Sequence, residues 1–181
     1  RLRAEADNPT IDVVQFSGGQ EFVATQEGLL AEIDPNVVTN LEHLYDVAID
    51  PDGYGPVVAF DALGIVYNHD LIETPPTSWE DLWNEEYAGH VGIIDIANSF
   101  GMQFLVMASM LDGGDENNMD PGFERIESLL PNAAAVVEQT PEVGTLFAQE
   151  EIWITAYNAG YAFTFREQGQ SVSYVVPEEG A

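Results

Sequence analysis

The residue types that carry most protein chemistry are sparse here. The chain has no cysteine and no lysine, and its three histidines, His43, His69 and His90, stand apart in polar contexts. Thiol catalysis, zinc–thiolate sites and internal disulfides are excluded. Isolated histidines of this kind read as surface residues, so no metal and no cofactor is expected. No HExxH, GxSxG, P-loop or GxGxxG occurs. With 32 acids, two carboxylates meet somewhere by chance, and counting lends a glycosidase no support. Asp50-Pro51-Asp52-Gly53 opens like a calcium loop, but the later ligand positions do not follow, so a β-turn is expected. The acids of residues 112–120 lack ligand spacing too. What remains is a set of small polar and aromatic residues: Ser17, Asp61, Asn98, Ser99, Tyr157 and Asn158, with Phe60 and Phe100 as candidate walls. These can hold a small molecule by hydrogen bonds and stacking. They contain no nucleophile–base pattern, so no catalytic residue is expected.

Most of these residues fall where a strand pattern gives way to a turn or a helix. Residues 11–16 read as a strand, and Ser17-Gly18-Gly19 leads into a helix over 20–27 closed by Gly28. Such a turn can hold an anion or polar ligand on free N–H groups, but two glycines alone favour a plain tight turn. A short edge segment over 29–33 and a polar connection over 36–54, with a helical turn near 41–44, come next. Residues 57–60 and 65–67 are apolar on both faces, the pattern of a strand buried in an α/β sheet, and Asp61 interrupts them. Pro75-Pro76 forbids helix, after which Thr77 and Glu80 form a capping box for a short helix bearing Trp79, Leu82 and Trp83. A strand over 91–96 passes through Asn98-Ser99 into a helix over 100–111, apolar nearly all round, which places Met102, Met107 and Met110 in the core. Helix 122–130, strand 133–137, helix 141–149 capped by Thr140, strand 152–157, helix 159–166 and strand 171–176 complete an α/β alternation. In open α/β sheets, ligands sit at the carboxyl ends of strands, where these loops gather.

Charge is the extreme feature of the composition. Four basic residues (Arg1, Arg3, Arg125, Arg166) face 32 acids, for a net charge of −28. Such a surface repels nucleic acid and anionic membrane, both of which need basic groups to displace counterions. The acids are spread along the whole chain rather than gathered in a tail. That distribution fits a protein adapted to molar salt, whose carboxylate coat is screened by its solvent. The acidity therefore describes the solvent more than the ligand. Apolar residues make up 45 %, enough for a core despite the charge. No run of residues is long and apolar enough to span a membrane. The opening residues 1–6 read as the end of a helix, as expected of a processed or partial chain.

PPTSWEDLWNEEYAGHVGIID resembles a segment of extracellular solute-binding proteins of ABC importers. GGDENNMDPGFERIESLLPN, VGTLFAQEEIWITAYNAGYA and SYVVPEEGA are similar to further blocks in the same order, as are NPTIDVV and VAFDALGIVYN. The spermidine/putrescine-binding type is the nearest in pattern. The resemblance implies an α/β, two-lobe, periplasmic-binding-protein-like (type II) fold with hinge strands, present as a partial chain. Residues 1–60 would belong to the first lobe, 61–170 to the second, and 171–181 would return toward the first. It implies capture of a small extracellular solute, polyamine-like or otherwise polar, and its delivery to ABC permease subunits. No enzymatic activity, nucleic acid or cofactor is implied, and membrane contact only through an anchor or the permease. The location would be extracellular, at the cell surface, or periplasmic in a bacterium. Tyr157 fills the family's aromatic position. The acid expected just beyond it is Gly160, and the acid expected after Asp95 is Asn98 or Ser99, which leaves Asp61 as the charge in these loops. A less cationic ligand follows. Ferric iron is disfavoured, because Tyr157 is followed by Asn158 rather than a second tyrosine. A sensor domain of the same fold is the main alternative. An enzyme of the porphobilinogen deaminase type would need a cofactor cysteine and basic residues.

Overall fold

The computed structural model describes residues 1–17, 19–50 and 52–180, which fall into two compact units, Arg1–Phe60 and Asp61–Ala181. The expected turns at 17–19 and 50–53 lie partly outside the described residues, because Gly18 and Pro51 do. Gly53 N–H donates to the Asp50 carbonyl at 3.1 Å.

The first unit holds helix α1, Gln20–Gln26, and three short 3-10 turns. Gly28 follows α1 at φ 66°, where the Gly28 and Leu29 N–H groups bond back to the Thr25 and Ala24 carbonyls. Arg3 ties the unit's start to the end of α1 through two hydrogen bonds to Glu27, at 2.6 and 2.7 Å. Its buried apolar side chains, among the described residues, are Ala24 and Ala48. The strand expected over 11–16 does not form. An extended segment becomes a strand only beside another, and no strand of this unit is found among its described residues. Val13 is accordingly 89 % exposed. The edge segment over 29–33 is likewise irregular. Residues 57–60, expected to be buried on both faces, form no strand: Val57 N–H donates to the Ala48 carbonyl at 2.9 Å, and Val58 and Phe60 are exposed.

The second unit is built on one five-stranded sheet of order β3-β2-β4-β1-β5. Its strands are β1 Leu63–Asn68, β2 Val91–Ile94, β3 Ala133–Val137, β4 Ile154–Asn158 and β5 Val172–Val175. β2 runs parallel to β3 and β4, whereas β1 lies antiparallel to both β4 and β5. All six residues of β1, all of β2 and all of β4 are buried, which explains their continuous apolar runs. The helices are α2 Ser99–Leu111, α3 Asp120–Leu129, α4 Thr140–Ala148 and α5 Ala159–Glu167. Gln139 holds the cap position of α4, and the Thr140 side chain lies outside the described residues.

Residues 79–83 form a 3-10 turn whose cap sits one residue later than expected. Ser78, not Thr77, accepts the Glu80 N–H, and the Asp81 carboxylate accepts the Ser78 N–H at 3.0 Å. The displacement follows from Asp81, whose short side chain also reaches the Thr77 N–H at 2.7 Å. Trp79 is fully buried; Trp79 and Trp83 each lie 6.0 Å from the Phe104 ring of α2. Arg125 of α3 stacks 4.4 Å over Trp83 and pairs with Asp112 and Glu80. Residues after β5 stay in this unit, with the Trp79 indole N–H donating to the Gly180 carbonyl at 2.9 Å.

Two of the methionines expected in the core are on the surface: Met102 is 48 % and Met110 56 % exposed, while Met107 packs against the core. A helix apolar all round still turns one face outward when only the sheet and α3 cover it. On its inner side α2 lies so close to β2 that a Cβ on Gly101 would fall on the Asp95 carbonyl oxygen. Gly101→Ala is therefore expected to destabilise the fold by at least about 2 kcal/mol. Gly160→Ala, where a Cβ meets nothing nearer than 3.8 Å, should stabilise it by about 0.5 kcal/mol. Urea unfolding midpoints of the two variants, shifting in opposite directions, check this.

Candidate functional site

β2, β3 and β4 end at one edge of the sheet, and α2, α4 and α5 begin there. Because β1 runs antiparallel to β4, its start is at the same edge: Leu63 is in register with Asn158. Asp61, two residues before Leu63, is thereby placed beside the end of β4.

Two asparagines organise this edge. Asn98 caps α2 by accepting the Phe100 N–H at 3.0 Å, and its amide donates to the Glu138 carbonyl at 3.4 Å. Asn158 caps α5 by accepting the Tyr161 N–H at 2.8 Å, and its amide donates to the Asp61 carboxylate at 3.2 Å. Each asparagine thus fixes a helix N-terminus with its oxygen and a neighbouring loop with its nitrogen. Other N–H groups of both first turns have no partner within their helix, so the edge has a positive dipolar character beside the Asp61 carboxylate.

Beneath the rim lies an aromatic floor. The Phe100 and Tyr157 rings meet edge-on at 5.1 Å, and Tyr157 stacks parallel to Phe165 at 6.2 Å. Tyr161 sits 5.2 Å from Tyr157 and 6.4 Å from Phe100. Tyr157 is fully buried and Asn158 is 3 % exposed, whereas Tyr161 is 37 % exposed. Asp61 and Ser99 are exposed, and Asn98 is half-buried. On β5, the Tyr174 hydroxyl donates to the Ala62 carbonyl at 3.2 Å, next to Asp61. Burial pushes the Tyr174 phenol above its ordinary pKa, so it remains a donor.

The structure thus brings Asp61, Asn98, Ser99, Phe100, Tyr157 and Asn158 to one edge of the second unit. Ser17 and Phe60 belong to the first unit, where both are exposed. Tyr161 was missed by sequence reasoning. Its signal was available: a residue three positions after an asparagine cap occupies the first helical turn and shares the cap's edge. The histidines lie elsewhere. His90 stacks on Trp153 at 3.7 Å near the start of β2, His69 contacts Ser173, and His43 contacts Glu42. The second unit's arginines are also absent from this edge: Arg125 is held over Trp83, and Arg166 is in the last turn of α5. The edge offers a carboxylate, two asparagines, hydroxyls and ring edges, a set suited to recognition.

Asn158→Ala should destabilise the unit by about 1 kcal/mol through loss of the cap. Asn158→Asp keeps a capping oxygen but sets a second carboxylate against Asp61. Its deficit should shrink as NaCl is raised, whereas that of the alanine variant should not. Urea unfolding at low and molar NaCl separates the two.

Comparison with known proteins agrees with this architecture. The profile of the family described as bacterial extracellular solute-binding protein matches residues 8–181. The spermidine/putrescine-binding periplasmic protein of Salmonella typhimurium is 28 % identical over 162 residues, which are 86 % of this chain and 46 % of that protein. An ABC transporter protein of Clostridium perfringens superposes with a TM-score of 0.80 at 22 % identity, over 98 % of this chain and 58 % of the other. The periplasmic binding protein AfuA of Actinobacillus pleuropneumoniae, solved with fructose-6-phosphate bound, gives 0.74 at 25 % identity over 99 % and 57 %. The chain spans about half the length of the curated relatives it matches. Its fold is that of periplasmic binding proteins, and the chain belongs to the bacterial extracellular solute-binding protein family.

Proposed function

We propose that this chain forms part of a non-enzymatic receptor that captures a small polar solute outside the cytoplasmic membrane and delivers it to the permease of an ABC importer. The observation that carries the reading is the convergence of Asp61, capped α2 and capped α5 at one sheet edge, in a chain of this family. Asp61, Ser99 and Tyr161 contact the solute, and Asn98, Asn158, Phe100 and Tyr157 hold the contacts in place. The partners are the solute and the permease, and the location is the periplasm or the cell surface.

The chemistry of the edge favours a solute rich in N–H or O–H donors. Asp61 accepts such donors, and neither arginine of the second unit lies at this edge to receive a phosphate. A sugar phosphate, as in AfuA, would rely on helix N-termini alone. A polyamine, as in the Salmonella relative, would find one carboxylate here.

A thermal-shift series in molar NaCl with spermidine, putrescine, neutral sugars, amino acids and fructose-6-phosphate tests this on the full-length protein. A donor-rich solute should raise the unfolding midpoint. Asp61→Asn and Tyr161→Ala should each remove most of that gain while leaving the ligand-free midpoint within about 2 °C, as for exposed positions. A gain unchanged in both variants would remove this edge from the site. A sensor differs only in its partner, so co-purification with a kinase rather than a permease would replace the transport reading.

A further inference from the structure

β1 is flanked by β4 and β5, but the two ladders stop at different points. The β4 ladder runs to Leu63, opposite Asn158, whereas the β5 ladder ends at Ile65, opposite Val175. Asp61 and Ala62 lie beyond both, outside any strand, so the ladders alone do not fix the Asp61 carboxylate.

A single side chain extends the hold on the β5 side. Tyr174 is in register with Val66, yet its hydroxyl donates to the Ala62 carbonyl, four residues upstream, at 3.2 Å. Alternate positions along an extended chain share a face, so the ring must pass over Gly64, midway between Val66 and Ala62. Gly64 leaves that path open. A Cβ there would stand 2.5 Å from the Val175 carbonyl oxygen and 2.6 Å from two atoms of the Tyr174 ring. Glycine inside a buried strand costs entropy and packing, and it marks a close approach. Here the approach is that of β5 and its tyrosine. On the β4 side, the Asn158 amide donates to the Asp61 carboxylate at 3.2 Å. Residues 61 and 62 are thus held from opposite flanks, one by its carboxylate and the other by its carbonyl.

We propose that Tyr174 is a positioning residue of the solute edge, which sets the place of the Asp61 carboxylate through the Ala62 carbonyl. The inference rests on the reading of that edge as the solute site. Asn158 holds the end of the Asp61 side chain but not the peptide that carries it, and Tyr174 supplies the second point of attachment. A carboxylate already in place loses less freedom when an N–H or O–H donor of a solute arrives, so the gain is in preorganisation. Burial raises the pKa of the phenol, which keeps its one proton available for Ala62 as the medium turns alkaline.

Tyr174→Phe keeps the ring over Gly64 and removes only the hydroxyl, so the fold should persist. The whole protein, isotope-labelled at asparagine, reports on the contact by nuclear magnetic resonance, with the Asn158 side-chain amide assigned by its loss in Asn158→Ala. Without any solute, Tyr174→Phe should move that amide signal toward its position in Asp61→Asn. Ser173→Ala, which removes the neighbouring β5 hydroxyl on His69 at the far end of β1, should leave it in place. Calorimetric titration with spermidine in molar NaCl reads the consequence. Asp61→Asn should weaken binding about tenfold or more, and Tyr174→Phe about three- to tenfold. The double variant should bind no worse than Asp61→Asn alone, because Tyr174 acts through Asp61. An unmoved Asn158 amide in Tyr174→Phe would overturn the proposal. So would losses that add in the double variant, or an affinity that Tyr174→Phe leaves intact while Asp61→Asn lowers it. A spermidine affinity indifferent to Asp61→Asn would instead count against this edge as the solute site, with the amide signal still deciding whether Tyr174 holds Asp61.

Discussion

The second unit depends on the insertion of β1 antiparallel between β4 and β5. β1 hydrogen-bonds on both sides and is buried along its full length. Its interior position leaves no room for a one-residue slip, which would turn every side chain to the other face. Gly64 shows how closely the register is held, since a Cβ there would lie 2.6 Å from the Tyr174 ring. The register then determines the candidate edge. Leu63 opposite Asn158 puts Asp61 within reach of the Asn158 amide, and Asn158 in turn caps α5. Had β1 run parallel to β4, Asp61 would stand at the other end of the sheet.

The charge pattern meets this architecture without entering it. The core is apolar, and its buried polar residues, Asn68, Ser109, Thr155 and Asn158, carry no charge. Arg1 and Arg3 sit in exposed pairs with Glu5 and Glu27, of a kind that contributes little. Arg125 is different. Its side chain is only 13 % exposed, stacked on Trp83 and shared between Glu80 and Asp112, so it joins the 79–83 turn, the loop after α2 and α3. One cation in a low-dielectric position fastens three elements in a chain whose other charges mostly repel. The remaining acids stay solvated, where salt screens them.

The parts of the fold legible in the sequence are those whose signal is local. β3 spans the residues its run of alanines and valines marks, and α2, α4 and α5 begin within a residue or two of their expected starts. The readings that failed needed a neighbour to be true. Residues 11–16 and 57–60 have strand composition, but a ladder needs a second strand, and none lies beside them among the described residues. Met102 and Met110 have core composition, but whether a helix face is covered depends on what packs there. Thr77 and Ser78 are both capping residues; Asp81 decided between them by bonding to the Ser78 backbone. At the candidate site, Asp61, Asn98 and Asn158 were legible as polar residues at strand ends. The exchange of roles between Tyr157 and Tyr161 was not. Periodicity cannot say which of two tyrosines on a strand-to-helix turn points into the sheet.

Composition and motif order alone settled the chemical class of this protein: no thiols, almost no cations, an acidic coat, and α/β alternation carrying the blocks of a solute-binding family. Those features are properties of residues and their sequence neighbours, which need no folded context. The antiparallel β1, the Asp61–Asn158 contact, the aromatic floor and the hydrogen bond from Tyr174 to Ala62 were decided by tertiary structure. Each joins residues far apart in the chain, such as Asp61 and Asn158 or Ala62 and Tyr174. Sheet order and strand direction, which set such distances, are chosen by the packing of the whole core rather than by any one segment.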